Sequence, residues 1–327
     1  MAAAISAEAH ADTITSGIRP VDPIRDMPAI VDLIELGFGE ELDPQGQKML
    51  AQMRQVARQG AWAQVMTGMA METTGFVWVD GQQVLGNLSL RRAFPGSARG
   101  MLIGNVVVHS DYRGRGIGRA LMEAAIKAAR EQGMRWVGLE VRADNPVACE
   151  LYRRLGFEAV GRTPHLVRPE GLPWPDYAAP RLQWRPSRQK DSLAWDRLAR
   201  AVYGRRQQWV LEVRPGMYAS GGFERWFNLW ISGQRESAWL QEDEEVRLAV
   251  RMKTDRRYHF HLWDLLVHPD VEDSLAQEVV AKALDVMRRS RPWPVVILVA
   301  DQPAVLEALY GAGLVLHRDL IQMVLGL

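Results

Sequence analysis

Three glycines and three arginines fall within the seven residues Arg113, Gly114, Arg115, Gly116, Ile117, Gly118 and Arg119, in a chain of 327 residues whose formal net charge is only +1. Glycine lets a ligand approach the backbone closely, and arginine presents a planar fork of donors suited to phosphate or carboxylate. The chemistry indicated is capture of an anion. The stretch lies between the apolar run "MLIGNVVVH" and the alanine-rich "ALMEAAIKAAREQG", which read as a strand and an amphipathic helix. A strand, a glycine turn and a helix N-terminus aim unpaired backbone N–H groups and the helix dipole at one point, which makes a phosphate cradle. The Gly-Lys-Ser/Thr ending of a P-loop is absent, and Gly114, Gly116 and Gly118 are spaced GxGxG instead of the GxGxxG of a dinucleotide fold. A surface turn with solvated arginines is the bland alternative.

The elements that must position this loop follow from periodicity. After a strand-like "TITSGIRPV", Met27, Ile30, Val31, Ile34 and Phe38 recur at helical spacing, and a second helix runs through "GQKMLAQMRQVARQ". "FVWVDGQQVLGNLSLRR" alternates around Asp80-Gly81 as a hairpin. Beyond the loop and its helix come the strand "RWVGLEVRA" and a helix opened by Asn145 and Pro146, with Ala148, Leu151, Tyr152 and Leu155 as its apolar stripe and Gly156 as its stop. The order strand, two helices, three strands, helix, strand, helix, strand predicts an α/β fold of the α+β kind: a mixed, mostly antiparallel sheet with helices on both faces.

Arg113, Gly116 and Gly118, with "NVVVHSDY" before them and "LEVRADNPVACELYRRLGF" after, form an Arg-x-x-Gly-x-Gly pattern that resembles the GNAT superfamily of N-acyltransferases. The resemblance covers residues 18 to about 165, is most specific over 105–157, and is most similar there to the N-terminal acetyltransferases of ribosomal proteins. It implies acetyl-CoA as co-substrate and no metal. The backbone from Arg113 and Gly114 through Arg115, Gly116, Ile117 and Gly118 to Arg119 would hold the pyrophosphate. Pantetheine would lie along the backbone of Val106, Val107 and Val108, whose side chains read equally as core, and Asn145 would touch the cofactor or simply cap its helix. Tyr152 would protonate the departing sulfur, unless it is a structural tyrosine.

Such a transfer needs a neutral amine. Near neutral pH roughly one α-amine in ten is uncharged but only about one lysine amine in a few thousand, so a base matters more for lysine. Glu140 is the candidate base, acting through water, because it shares a strand face with Trp136 and Gly138 while Val137, Leu139 and Val141 read as core. A glutamate merely paired with an arginine is the alternative. The single cysteine, Cys149, falls off the stripe that holds Tyr152 and is not expected to be a nucleophile.

The second half repeats the first. "LLVHPDVEDSLAQEVVAKAL" echoes "VVVHSDYRGRGIGRALMEAA", and "ADQPAVLEALYGAGL" echoes "ADNPVACELYRRLGF". The echo lacks the site. "DYRGRGIGR" carries three arginines against one aspartate, whereas "DVEDSLAQE" has two aspartates, two glutamates and no glycine. Two like charges about 5 Å apart cost roughly 3 kcal/mol at an effective dielectric of 20, so this loop repels pyrophosphate. Glu140, Asn145 and Tyr152 are matched by Ile297, Gln302 and Leu309. The expectation is two tandem GNAT-like domains: a tail over 1–17, a catalytic domain over 18–170, a proline-rich loop or linker over 171–180, and a degenerate, non-catalytic domain over 181–327. Mycothiol synthases are similar in arrangement, but catalysis there lies in the second half.

An ordinary composition, with 24% charged residues and no basic excess, argues against nucleic acid as partner, and no apolar run reaches the roughly 20 residues that span a bilayer. A lone cysteine gives an oxidising compartment no framework, so a cytoplasmic setting is expected. His259 and His261 share a strand face without metal-ligand spacing around them, Phe223, Trp226, Phe227 and Trp230 form an aromatic stripe read as core or domain interface, and "EELD" at 40–43 hints at a cationic amine. Two functions stand: an N-acetyltransferase acting on a small-molecule or peptide amine, or a non-catalytic acyl-CoA sensor or scaffold. A homodimer is left open.

Overall fold

The computed structural model describes residues 16–39, 42–59, 74–93, 99–218, 234–243 and 245–327. The aromatic stripe from Phe223 to Trp230, the tail before residue 16, and Glu40 and Glu41 lie outside the described residues. The first half runs β1 (Ser16–Pro20), α1 (Pro23–Phe38), α2 (Pro44–Gln59), β2 (Thr74–Asp80), β3 (Gln83–Ala93), β4 (Gly100–Val108), α3 (Ile117–Glu131), β5 (Trp136–Arg142), α4 (Pro146–Arg154) and β6 (Glu158–Arg168). The second continues with β7 (Trp184–Pro186), α5 (Ser192–Val202), α6 (Arg205–Val210), β8 (Gln234–Gln241), β9 (Leu248–Asp255), β10 (Phe260–Val267), α7 (Asp273–Ala276), α8 (Glu278–Met287), β11 (Val295–Leu298), α9 (Pro303–Gly311) and β12 (Val315–Gly326).

Local chemistry accounts for the elements. Asp22 caps α1 by accepting from the Ile24 and Arg25 N–H groups ahead of a proline at the first turn. The hairpin turn sits at Gly81 and Gln82, one residue later than expected, because Asp80 already pairs with Gln83 and Gly81 takes φ 58°. The spaced residues of α1 bury Met27, Ile30, Val31 and Ile34 on Val77 and Val79, while Leu121, Met122, Ala125 and Ala129 of α3 cover Leu88, Val137 and Leu139 from the opposite face. At roughly 1.5–3 kcal/mol per fully buried large apolar side chain, these two layers dominate the stability of this half.

The fold class is the mixed α/β one that the patterning predicts, but the two expected sheets are one. Twelve strands run in the order β1-β2-β3-β4-β5-β12-β6-β11-β10-β9-β8-β7. The last strand of each half has crossed into the other: β12 pairs antiparallel with β5, β6 pairs antiparallel with β11, and β6 and β12 pair with each other at the centre. The exchange is reciprocal in the cores too. Met323 of β12 is buried in the α3 core, and Leu166 of β6 is buried in the core beneath α8 and α9. The proline-rich segment after β6 lies over the second half: Trp174 stacks on Trp263 at 6.3 Å between ring centroids, and its indole N–H donates to the Ser290 carbonyl.

Candidate active site

The loop opens as a strand ends. His109 Nδ1 accepts from the Asp111 N–H, closing a short 3-10 turn, and Gly114 and Gly116 then take φ of 77° and 80°. Those values are left-handed, where an L side chain costs roughly 1–2 kcal/mol even though a Cβ would meet open space at both positions. Gly116 is the N-cap of α3 and supplies no side-chain cap, so the first N–H groups of the helix have no side-chain cap partner. The arginines are ordered around the turn. Arg113 Nε donates to the Val108 carbonyl at 3.1 Å, Arg115 donates to the Asp111 carbonyl and lies over the Tyr112 ring, and Arg119 pairs with Glu123 one turn on.

A cleft of about 1090 Å³ leads away from this turn, lined by Val106, Val107, Val108, the residues from Tyr112 to Arg119 except Arg115, Asn145 and α4 as far as Leu155, with Gly37 and Phe38 at its far wall. Its origin is in the sheet. β4 and β5 pair in parallel only from Gly100 with Trp136 to Ile103 with Leu139. Beyond that point β4 carries a bulge, with Asn105 at φ 51° and a register shift against β3 between Asn87 and Ser89, and the two strands part. Backbone donors and acceptors of Val106 and Val107 on that side are therefore without a β5 partner. Asn145 caps α4, its Oδ1 accepting from the Ala148 N–H at 3.0 Å, and also lines the cleft.

Glu140 is the first β5 residue past the parting of the strands. As a residue Glu140 is exposed, yet its carboxyl is set among enough protein atoms that desolvation pushes its pKa above the usual carboxylate range, against the opposing pull of the Gln322 amide and of Arg318 and Arg91. Its face of β5 is not bare: Trp136 stacks on Trp209 of α6 at 5.2 Å, and Gly138 lies against Val210. Tyr152 comes from the opposite face, in the α3 core, and also lines the cleft. Burial pushes its pKa up to about 12, so the phenol holds its proton at any physiological pH. Tyr152 and Glu140 thus lie on opposite faces of β5, and of the two only Tyr152 lines the cleft.

Two expectations are corrected. Cys149 is buried in the same core as Tyr152, its thiol 3.5 Å from the Arg142 carbonyl, because the helix turns its Cys149 and Tyr152 edge inward and leaves Ala148, Leu151 and Leu155 half-buried. Asp43 is no solvated acid: it is buried, caps α2 through the Gly46 N–H, and faces His165 Nε2 at 2.9 Å and Arg318 at 3.3 Å. Arg318 also donates to His165 Nδ1 at 2.7 Å, which fixes the imidazole as neutral with its proton on Nε2 toward Asp43. Burial keeps the pKa of His165 below the usual imidazole value, and its partners hold Asp43 down at about 2. His261 is buried between Thr254 and the Arg291 carbonyl, and no group of three or more potential metal ligands occurs among the described residues. No described helix is long and apolar enough to cross a membrane.

The second half builds its counterpart loop differently. Glu278, at the start of α8, accepts from the Arg181 and Leu182 N–H groups at 2.7 and 3.1 Å, and Ile297 and Leu309 are core. The residue that sequence reasoning missed is Gln322 on β12, which donates to Glu140 Oε1 at 2.8 Å. Its only sequence signal is a lone amide in the apolar run from Leu320 to Val324.

Residues 46–157 match the family described as "Acetyltransferase (GNAT) family". An L-methionine sulfoximine/L-methionine sulfone acetyltransferase of Pseudomonas paraeruginosa is 36% identical over 90 residues, covering 28% of this chain and 52% of that protein. The chain thus spans about half the length of this relative. The [ribosomal protein bS18]-alanine N-acetyltransferase of Escherichia coli is 45% identical over 53 residues, 16% of this chain and 36% of that one. Among solved structures, a tandem GNAT protein from the clavulanic acid biosynthesis pathway superposes with a TM-score of 0.55 at 17% identity, covering 95% of this chain and 98% of that chain, a likeness of fold.

Proposed function

We propose, from the match of residues 46–157 to the acetyltransferase (GNAT) family, that the protein is an acetyl-CoA-dependent N-acetyltransferase that passes an acetyl group directly to a primary amine. Residues 18–170 supply the catalytic groups and residues 181–327 a unit without a cofactor site of its own. The observation that carries the reading is the cleft that joins the uncapped start of α3 to Tyr152 along the unpaired edge of β4. Its parts suit the co-substrate: N–H groups and arginines for a pyrophosphate, a free strand edge for an amide-bearing arm, and a protonated phenol where a thiolate would leave.

In the proposed reaction the amine nitrogen attacks the thioester carbonyl carbon and the carbon–sulfur bond breaks. Glu140 takes the amine's proton through water, and Tyr152 gives its proton to the sulfur. The raised pKa of Glu140 makes it a stronger base than an ordinary glutamate. The acceptor is a small-molecule or peptide amine. The names of the relatives put L-methionine sulfone, L-methionine sulfoximine and a peptide with N-terminal alanine first in a panel, followed by polyamines, aminoglycosides and amino sugars. The test is calorimetric titration with acetyl-CoA, followed by thiol release with the panel. One site per chain and turnover with at least one amine are expected; absence of acetyl-CoA binding would remove the proposal.

A further inference from the structure

Resting on the reading of Glu140 as the base, we propose that Gln322, a residue of the second half of the chain, is a positioning residue for that carboxylate, locked in its donating orientation by a relay that starts at a backbone carbonyl. Glu140 on β5, Gln322 on β12 and Gly161 on β6 are direct partners in one row across three strands. Gly161 has no side chain, and Gln207 of α6 lies on the bare backbone there: a Cβ at Gly161 would come within 2.1 Å of the Gln207 amide carbon. The Gln207 amide donates to the Arg162 carbonyl at 3.3 Å. A carbonyl only accepts, so this contact tells the nitrogen of Gln207 from its oxygen.

The same Gln207 nitrogen donates to Gln322 Oε1 at 3.1 Å, and the Thr163 hydroxyl donates to that oxygen at 3.2 Å. With its oxygen claimed twice, Gln322 must turn its nitrogen outward, and there it meets Glu140 Oε1 at 2.8 Å. Gln322 is 0% exposed, so water does not compete for the arrangement. A glutamine free to flip would at times present its oxygen to the carboxylate. Locked, it always stabilises the ionised form and holds one carboxylate oxygen, leaving the other for the acceptor or its water. The charged groups acting on Glu140 besides this amide are Arg318 on β12 and Arg91 on β3; Arg142, two residues along β5, is bound to Asp144, and Arg206 of α6 to Glu158.

The experiment follows Glu140 directly, in the full chain labelled with glutamate carrying carbon-13 at its carboxyl. The resonance missing from the Glu140→Gln protein is assigned to Glu140 and titrated. Gln322→Met, of matching length but without a donor, is expected to raise the midpoint by about one pH unit, a tenfold gain in proton affinity. Gln207→Met, which frees the Gln322 amide to flip, is expected to raise it by less, and it serves alone should Gln322→Met fail to fold, as thermal unfolding and acetyl-CoA binding would reveal. With the acceptor found in the panel, kcat/KM of Gln322→Met should fall about tenfold on the acid limb and little on the alkaline plateau, a split that a general loss of structure does not produce. An unchanged midpoint in both variants overturns the proposal. A shifted midpoint together with undiminished turnover by Glu140→Gln instead overturns the base assignment, and the proposal with it.

Discussion

Residues 109–119 and 268–278 begin alike, each a histidine that turns the chain out of a strand, yet the first loop leaves its helix start uncapped beside a cleft and the second holds its own chain. In the first, positive φ at Gly114 and Gly116 leads to an uncapped helix, and three arginines stand around it. In the second there is no glycine, the helix start is broken into α7 and α8, and the Glu278 carboxylate binds the Arg181 and Leu182 N–H groups of the segment joining the halves. Where the first half leaves uncapped N–H groups beside a cleft, the second uses an acidic side chain to hold the segment that joins the halves. What the second half retains is its strand: β12 completes the first half's sheet and reaches Glu140, as β6 completes the second's. A half without the glycine turn thus still supplies the other half with a strand and a side-chain contact.

The sharpest way to break the comparison is to separate the halves. Residues 16–170 alone lack the strand between β5 and β6, and both that fragment and one beginning at 171 should lose cooperative unfolding by circular dichroism; an independently folded, acetyl-CoA-binding 16–170 fragment would contradict the exchange. Next in size, Glu140→Gln and Tyr152→Phe should each lower kcat about 10²–10⁴-fold at constant acetyl-CoA affinity. The wild-type rate should rise with pH through the raised pKa of Glu140, a limb that Glu140→Gln abolishes, and Tyr152 should add no alkaline limb until near pH 12. Asp43→Asn removes the carboxylate that balances Arg318 in a buried site and should cost roughly 3–5 kcal/mol in denaturant unfolding. The sign of its pH dependence is fixed by the lowered pKa: the stabilisation is complete above the unfolded value of 3.8 and disappears as pH falls through about 2. Smallest, Gly116→Val should weaken acetyl-CoA about tenfold or more by calorimetry through backbone strain, with the unfolding transition kept, whereas Glu278→Gln should leave the stoichiometry at one per chain.

Much of this was legible in the residues because it is local. The cradle follows from Gly114, Gly116 and the helix after them, and the face of Glu140 from strict alternation along β5. Cys149 was misjudged because a helix nine residues long can rotate its stripe by one position at little cost in packing, and Asp43 because its partners, His165 and Arg318, are distant in sequence. Gln322 was invisible for a stronger reason. An internal repeat assigns each strand to its own half, and the sequence of a strand does not state which neighbour its edge will pair with.

The exchange also sets a clock. Glu140 and Gln322 are 182 residues apart in the chain, so during synthesis the glycine turn, the cleft residues, Glu140 and Tyr152 all emerge long before the strand that pairs with β5. Until residues 315–326 leave the ribosome, β5 carries an open edge able to pair with another nascent chain, and the expected base lacks its donor. Ribosome pausing within the second half would therefore lengthen the interval of aggregation risk.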